Sequence, residues 1–64
     1  MKLIKLREVL EMTSLSKATL YRMIKQGAFP EQLSIGGRAV AWVEGEVLTW
    51  INERIAERDT VQTI

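Results

Sequence analysis

Basic side chains recur along residues 16–26 of the chain, and no acidic residue interrupts them. Lys17, Arg22 and Lys25 carry the charge. Ammonium and guanidinium groups donate hydrogen bonds to phosphate oxygens and to the acceptor edge of guanine. The segment is therefore suited to binding a surface rich in anions and acceptors, and double-stranded DNA offers both. A solvated basic face without a ligand is the alternative.

The same segment has the pattern of a helix running from Ser16 to Gln26. Ser16 is a favourable N-cap, because its side-chain oxygen can accept a hydrogen bond from an unpaired first-turn amide. Gly27 suits the position after the helix, and Pro30 blocks its continuation. An apolar stripe faces inward and consists of Leu20, Met23 and Ile24. The outward side then presents Lys17, Ala18, Tyr21, Arg22 and Lys25.

Two uncharged residues on that outward side have a candidate role. Ala18 is small enough to allow close approach to a base pair and could contact a thymine methyl group. Tyr21 could donate its hydroxyl to a phosphate, or it could be a partly buried boundary residue. Both interpretations of Tyr21 stay open.

A second candidate contact lies in a predicted hairpin. Leu33 and Ile35 alternate with polar neighbours, Gly36-Gly37 follows, and an apolar run continues from Arg38. Two glycines accept positive φ at both positions, which favours a tight hairpin turn there. We expect Gly36, Gly37 and Arg38 to form the tip and Gly37 and Arg38 to contact DNA, with the guanidinium on a phosphate or in a minor groove. A tight turn with a solubilising arginine is the alternative.

Other chemistry is disfavoured by the residue types present. The chain has no cysteine and no histidine, so a zinc site built from those ligands is excluded. Four carboxylates in the last third form a solvated acidic face more readily than a metal or acid–base site, since no second element converges on them: Glu44, Glu46, Glu53 and Glu57. Trp42 and Trp50 could stack on bases, but we expect both to pack in or beside the core. No catalytic residue, metal or cofactor is expected.

Three helices and the hairpin must position these residues. The first helix places Leu6, Val9, Leu10 and Thr13 on one side, over about two turns. Only about three residues, including Leu15, separate it from the second helix, and such a link forces a steep crossing, the helix-turn-helix arrangement. The third helix is predicted from roughly residue 46 to 57. Its apolar side contains Val47, Leu48, Ile51 and Ile55, with Trp50 at the edge.

Length and composition fit one small domain. With 64 residues, 47% of them hydrophobic and 27% charged, the chain has the composition of a globular domain with a single core. Residues 14–42 contain four cations and one acid, whereas residues 43–64 contain two cations and five acids. No stretch approaches the ~18–20 apolar residues of a membrane span, and the charged start does not fit a secretory signal. We expect a cytoplasmic protein.

A longer pattern covers about residues 3–58. It comprises Leu15-Ser-Lys-Ala-Thr-Leu-Tyr-Arg-Met-Ile-Lys-Gln-Gly27, then Phe29-Pro30, then Gly36-Gly-Arg-Ala-Val-Ala-Trp42 and Glu46-Val-Leu-Thr-Trp-Ile51. The chain thereby resembles the AlpA family of prophage regulators. The resemblance implies a winged helix-turn-helix related to the DNA-binding domain of MerR-like regulators and to small phage excisionases. It implies that the recognition helix contributes Ser16, Lys17, Thr19, Tyr21, Arg22 and Lys25, and the wing Arg38.

The sequence thus predicts a mainly α fold with a small β-hairpin, three helices plus a two-stranded wing. A DNA-binding domain is expected at residues 1–58 and a frayed tail at 59–64. Ser14 stands where relatives often have glycine, so a left-handed conformation there would cost ~1 kcal/mol.

The expected function is sequence-specific regulation of transcription on a prophage or integrative element, without a small-molecule effector. Further copies on adjacent sites and an integrase are additional candidate partners. An excisionase that binds attachment-site DNA is the nearest alternative, and an adaptor or inhibitor that binds protein through the acidic last helix is another.

Overall fold

Six elements follow one another in the computed structural model, which describes residues 1–61. The helices are α1 (Leu6–Thr13), α2 (Lys17–Lys25) and α3 (Glu44–Val61), and the strands are β1 (Leu3–Ile4), β2 (Leu33–Gly36) and β3 (Ala39–Val43). Three helices and an antiparallel hairpin confirm the predicted winged helix-turn-helix fold.

The sheet contains one strand more than the sequence predicted. Its order is β1-β3-β2, and both pairings are antiparallel. β1 has only two residues, with Leu3 opposite Val43 and Ile4 opposite Trp42. The Glu44 amide also donates to the Lys2 carbonyl at 2.8 Å. The start of the chain is thereby fixed along the strand that leads directly into α3.

A short turn joins α1 and α2, as predicted. Ser14 has φ 60° and ψ 19°, the left-handed conformation, and its amide donates to the Leu10 carbonyl at 2.8 Å. It is the one non-glycine residue with positive φ within residues 1–61. Leu15 follows, half-buried, and packs against the core. The left-handed residue reverses the chain, so α2 crosses α1 without a longer loop.

The hairpin turn lies one residue further along than the two glycines suggested. Gly36 (φ 132°) is still in β2 and pairs with Ala39, so the loop consists of Gly37 (φ 53°) and Arg38. Positive φ at the first loop position is what a type II′ hairpin turn requires. The register shifts between Ser34 and Gly36, which leaves an extra residue in β2 as a bulge.

The core lies between the helices and one face of the sheet. Its buried members are Ile4, Val9, Leu20, Phe29, Trp42 and Val47. Met23 and Ile24 pack against this cluster, which confirms the predicted inward stripe of α2. Trp42 is fully buried and donates its indole N–H to the Pro30 carbonyl at 3.2 Å. It is a core residue, as expected.

The last helix differs from its prediction in length and in coverage. It begins at Glu44, two residues early, and continues through residue 61. Leu48 and Ile55 were expected on the buried side, but they are 44% and 43% exposed. The body of the domain covers only the first half of α3, where Val47 is buried and Ile51 half-buried. The frayed tail stays a prediction, although residues 59–61 continue the helix; residues 62–64 lie outside the described residues.

Candidate nucleic-acid interface

Ser16 fixes the first residue of α2. Its backbone is extended, and its hydroxyl oxygen accepts from the Thr19 amide at 3.2 Å. The Ser16 hydroxyl also donates to Thr19 Oγ1 at 2.9 Å. The expected N-cap is therefore present, and the candidate residues Ser16 and Thr19 contact each other.

The last turn of α2 is closed by a pair of backbone hydrogen bonds. The Gly27 amide donates to the Ile24 carbonyl at 3.0 Å, and the Ala28 amide donates to the Met23 carbonyl at 2.8 Å. Gly27 has φ 75°, so this is a Schellman motif with glycine at its left-handed position. Arg22 and Lys25 lie in this last turn, where positive charge suits the carbonyl end of the helix.

One side of α2 faces solvent and is cationic. Ala18, Arg22 and Lys25 are exposed and recur at positions i, i+4 and i+7, which share one face of a helix. Lys17 is exposed at the margin of this face. We name these four residues the α2 cationic face. Leu20, on the opposite side, is fully buried.

The cations of this face have no acidic partner in the protein. Within residues 1–61, ion pairs form at Lys2, Arg54 and Arg58, and none involves Lys17, Arg22 or Lys25. Their positive charge is therefore available to an external anion. An internal ion pair at Arg22 or Lys25 would have removed the basis of the sequence interpretation.

Tyr21 and Thr19 lie at the boundary of the face. Both are half-buried, and the Tyr21 side chain packs against the core. Its hydroxyl makes no hydrogen bond with another of the described residues. The ring thus lies at the margin of the core, which fits the boundary interpretation, and the phosphate contact of the hydroxyl stays a prediction.

The other candidate residues lie on the hairpin. Gly37 and Arg38 are exposed at its loop, and Arg38 forms no ion pair with any residue in the range 1–61. No hydrogen bond connects them to α2 in that range. The structure therefore presents two separate cationic elements, a helix face and a hairpin tip.

Acidic residues are concentrated on α3 instead. Glu46 and Glu53 are exposed and have no cationic partner among the described residues, whereas Glu57 accepts from Arg54 at 2.8 Å. No group of three or more potential metal ligands lies together within residues 1–61. In the same range, no helix is both long and apolar enough to cross a membrane.

Sequence reasoning missed how the segment after α2 is held. Pro30 was interpreted only as a helix stop, yet residues 28–30 are bound by both tryptophans. Trp50 donates its indole N–H to the Ala28 carbonyl at 2.8 Å, and Trp42 donates to Pro30. Two tryptophans predicted near the core were a signal that two indole N–H groups would need acceptors.

These features define a class of protein. Two helices cross at a tight turn, the second exposes an unpaired cationic face, and a hairpin with a basic tip follows: this is a winged helix-turn-helix domain.

The chain belongs to the family described as prophage CP4-57 regulatory protein (AlpA), whose model matches residues 2–55. It is 47% identical over 51 residues to the uncharacterized protein ORF88 of Enterobacteria phage P4, covering 80% of this chain and 58% of that protein. The chain therefore spans less than two thirds of the length of this relative. It is 25% identical over 59 residues to the DNA-binding transcriptional activator AlpA of Escherichia coli K12, covering 83% of this chain and 84% of that one. The family resemblance stated from the sequence is confirmed.

Proposed function

We propose that this protein binds double-stranded DNA in a sequence-specific manner and regulates transcription on a prophage or integrative element. The observation that carries the proposal is the α2 cationic face, which is exposed and lacks internal ion pairs. Family membership and the similarity to the DNA-binding transcriptional activator of Escherichia coli support the same role. Activation of an integrase gene is the specific output that we propose first.

In the proposed mechanism α2 enters the major groove. Arg22 and Lys25, one turn apart, reach guanine acceptors or phosphates, and Ala18, one turn before Arg22 on the same face, allows the helix to approach the bases closely. Lys17 and the Tyr21 hydroxyl bind the flanking phosphates. Arg38 places its guanidinium on a phosphate or in the adjacent minor groove. In this mechanism the level of transcription depends on how fully the protein occupies its DNA site. The protein then needs no catalytic residue, cofactor or small-molecule effector. We propose that it acts in the cytoplasm.

A single module of this kind binds weakly. One domain of this size buries ~600–1,000 Å² on DNA. We therefore propose that several copies occupy neighbouring sites, and that an integrase is a further partner where those sites flank an attachment core.

Salt dependence tests whether phosphates are engaged. If Lys17, Arg22, Lys25 and Arg38 all neutralise phosphates, log K against log salt should have a slope of about −3.6. Fluorescence anisotropy on duplexes from the element's promoter and attachment regions measures this slope. Between 50 and 200 mM salt, affinity should then fall by about 150-fold. A slope near zero would contradict groove binding.

Substitutions then test whether the α2 cationic face binds the DNA. Arg22→Ala and Lys25→Ala should each cost ~1–3 kcal/mol of binding where a base contact is lost. Arg58→Ala is the matched control, because it removes a cation from α3, where Arg58 pairs with Asp59 at 3.0 Å. It should leave DNA affinity unchanged. If both α2 variants retain full regulatory activity, the protein instead acts as an adaptor or inhibitor through α3.

Footprinting separates the two DNA-binding roles. Protection confined to a promoter supports the regulator. Repeated protected sites beside the attachment core would identify an excisionase and overturn the proposed output.

A further inference from the structure

The residues between the recognition helix and the wing are held at two points. Ala28, Phe29 and Pro30 follow α2 and lead toward β2, so they connect both elements that the proposed function places on DNA. Their carbonyl groups at positions 28 and 30 accept the indole N–H groups of Trp50 and Trp42. We infer that Trp50 is a positioning residue for DNA binding, which sets the orientation of the α2 cationic face from α3. This inference rests on the proposed function.

Ala28 is the point where α2 and α3 are joined. Its amide donates to the Met23 carbonyl at 2.8 Å, which closes the last turn of α2. Its carbonyl accepts from Trp50 of α3, also at 2.8 Å. Both polar groups of one residue are thus used, one toward each helix. Since Lys25 lies three residues before Ala28, loss of the Trp50 hydrogen bond releases the end of α2 that carries a cation.

The Trp50 ring adds a second contact to the same segment. It meets Phe29 edge-on, with ring centroids 4.8 Å apart and planes at 61°. Phe29 is 4% exposed and anchors the segment in the core. The Arg54 guanidinium carbon lies 5.2 Å from the Trp50 centroid on α3. The ring therefore has a defined orientation, and its N–H points at one backbone acceptor.

The two tryptophans differ in what they support. Trp42 is fully buried, so its loss would leave a cavity in the core. Trp50 is half-buried and borders an open groove of about 1090 Å³ between α3 and residues 27–31. A change at Trp50 can therefore alter the position of α2 while the core stays filled. This difference makes the inference testable in a folded protein.

Trp50→Phe is the primary test, because it keeps an aromatic ring beside Phe29 and removes the N–H donor. The net contribution of one hydrogen bond corresponds to a loss of about three- to tenfold in DNA affinity. If Lys25 no longer reaches its phosphate, the salt slope should change from about −3.6 to about −2.7. Thr49→Ala is the matched control on the neighbouring exposed position of α3, and both its affinity and its slope should equal those of the parent protein.

The salt slope distinguishes positioning from folding. A purely structural role would lower affinity only by the unfolded fraction, which circular dichroism measures, and the slope would not change. That result, or an affinity equal to that of the parent protein, overturns the inference. If the parent protein itself shows no salt-dependent DNA binding, the proposed function fails instead.

A second replacement applies if Trp50→Phe does not fold. A chain of 64 residues is accessible to chemical synthesis, and benzothienylalanine at position 50 keeps the shape of the indole but replaces its N–H with sulfur. Hydrogen exchange at the Ala28 amide then provides a readout without DNA. We expect faster exchange at Ala28 and parent-like exchange at Leu20. Unchanged exchange at Ala28, together with parent-like affinity and slope, overturns the inference.

Discussion

Replacing glycine by alanine at two positions should change stability in opposite directions. Gly27 follows α2 with φ 75°, whereas Gly45 lies in the first turn of α3 and has no positive φ. An added Cβ would meet nothing within 4 Å at either position. Neither added methyl group therefore clashes with the rest of the protein. The backbone conformation alone decides whether the substitution stabilises or destabilises the protein.

The magnitudes follow from backbone preferences. A left-handed conformation costs an L-residue with a side chain ~1–2 kcal/mol, partly offset because alanine loses less entropy on folding than glycine. Gly27→Ala should therefore lower the free energy of unfolding by ~0.5–1 kcal/mol. Gly45→Ala should raise it by a similar ~0.5–1 kcal/mol, since glycine is unfavourable inside a helix. Ser14→Gly, at φ 60°, should stabilise the protein for the same reason that Gly27→Ala destabilises it.

Thermal unfolding followed by circular dichroism measures these changes. For a domain of this size, ~1 kcal/mol corresponds to a shift of about 4–8 °C in Tm. Urea titrations of the same variants should show shifted midpoints and an unchanged slope. A stabilised Gly27→Ala variant, or a destabilised Ser14→Gly variant, would refute the assignment of strain to these two turns.

Two further predictions concern the cap of α2 and the exposed side of α3. Ser16→Ala should lower the free energy of unfolding by ~1 kcal/mol through loss of the N-cap. Ser16→Asp should retain stability but weaken DNA binding, because a negative charge is added beside Lys17. If the Ser16→Asp variant binds DNA as tightly as the parent protein, the proposed interface is contradicted. Leu48→Lys and Ile55→Lys should each change stability by less than ~0.5 kcal/mol, since these side chains are 44% and 43% exposed. A large loss of stability, measured by chemical denaturation, would show that this side of α3 is buried.

Helix α2 could be predicted because its signals are local. Ser16 and Gly27 mark its two ends through their own backbone preferences, and the spacing of Leu20 with its apolar neighbours gives the buried side. The unpaired cationic face follows from the same spacing and from the lack of acids between residues 16 and 26. These determinants all lie within one segment of the chain.

The remaining features depend on contacts between distant residues. A two-residue strand has no periodicity, so β1 is apparent only from the pairing of Leu3 with Val43. Helix α3 starts early because it follows β3 without an intervening loop. No capping residue in the sequence marks that start. Periodicity identified an apolar side on α3. Whether Ile55 is covered depends on how far the rest of the domain extends along α3, which periodicity does not give. The Trp50–Ala28 hydrogen bond joins residues 22 positions apart and could not be assigned from spacing.

The uneven charge of the domain, positive on the α2 cationic face and at the wing tip and negative on α3, also acts before any contact forms. In the field of a DNA duplex, a molecule with such an asymmetric charge experiences a torque that turns its positive side toward the phosphates. This orienting effect reaches about one Debye length, ~10 Å at 0.1 M salt. Under the proposed function, encounters through α3 are repelled, and a larger share of collisions begins with the reading surface already facing the groove.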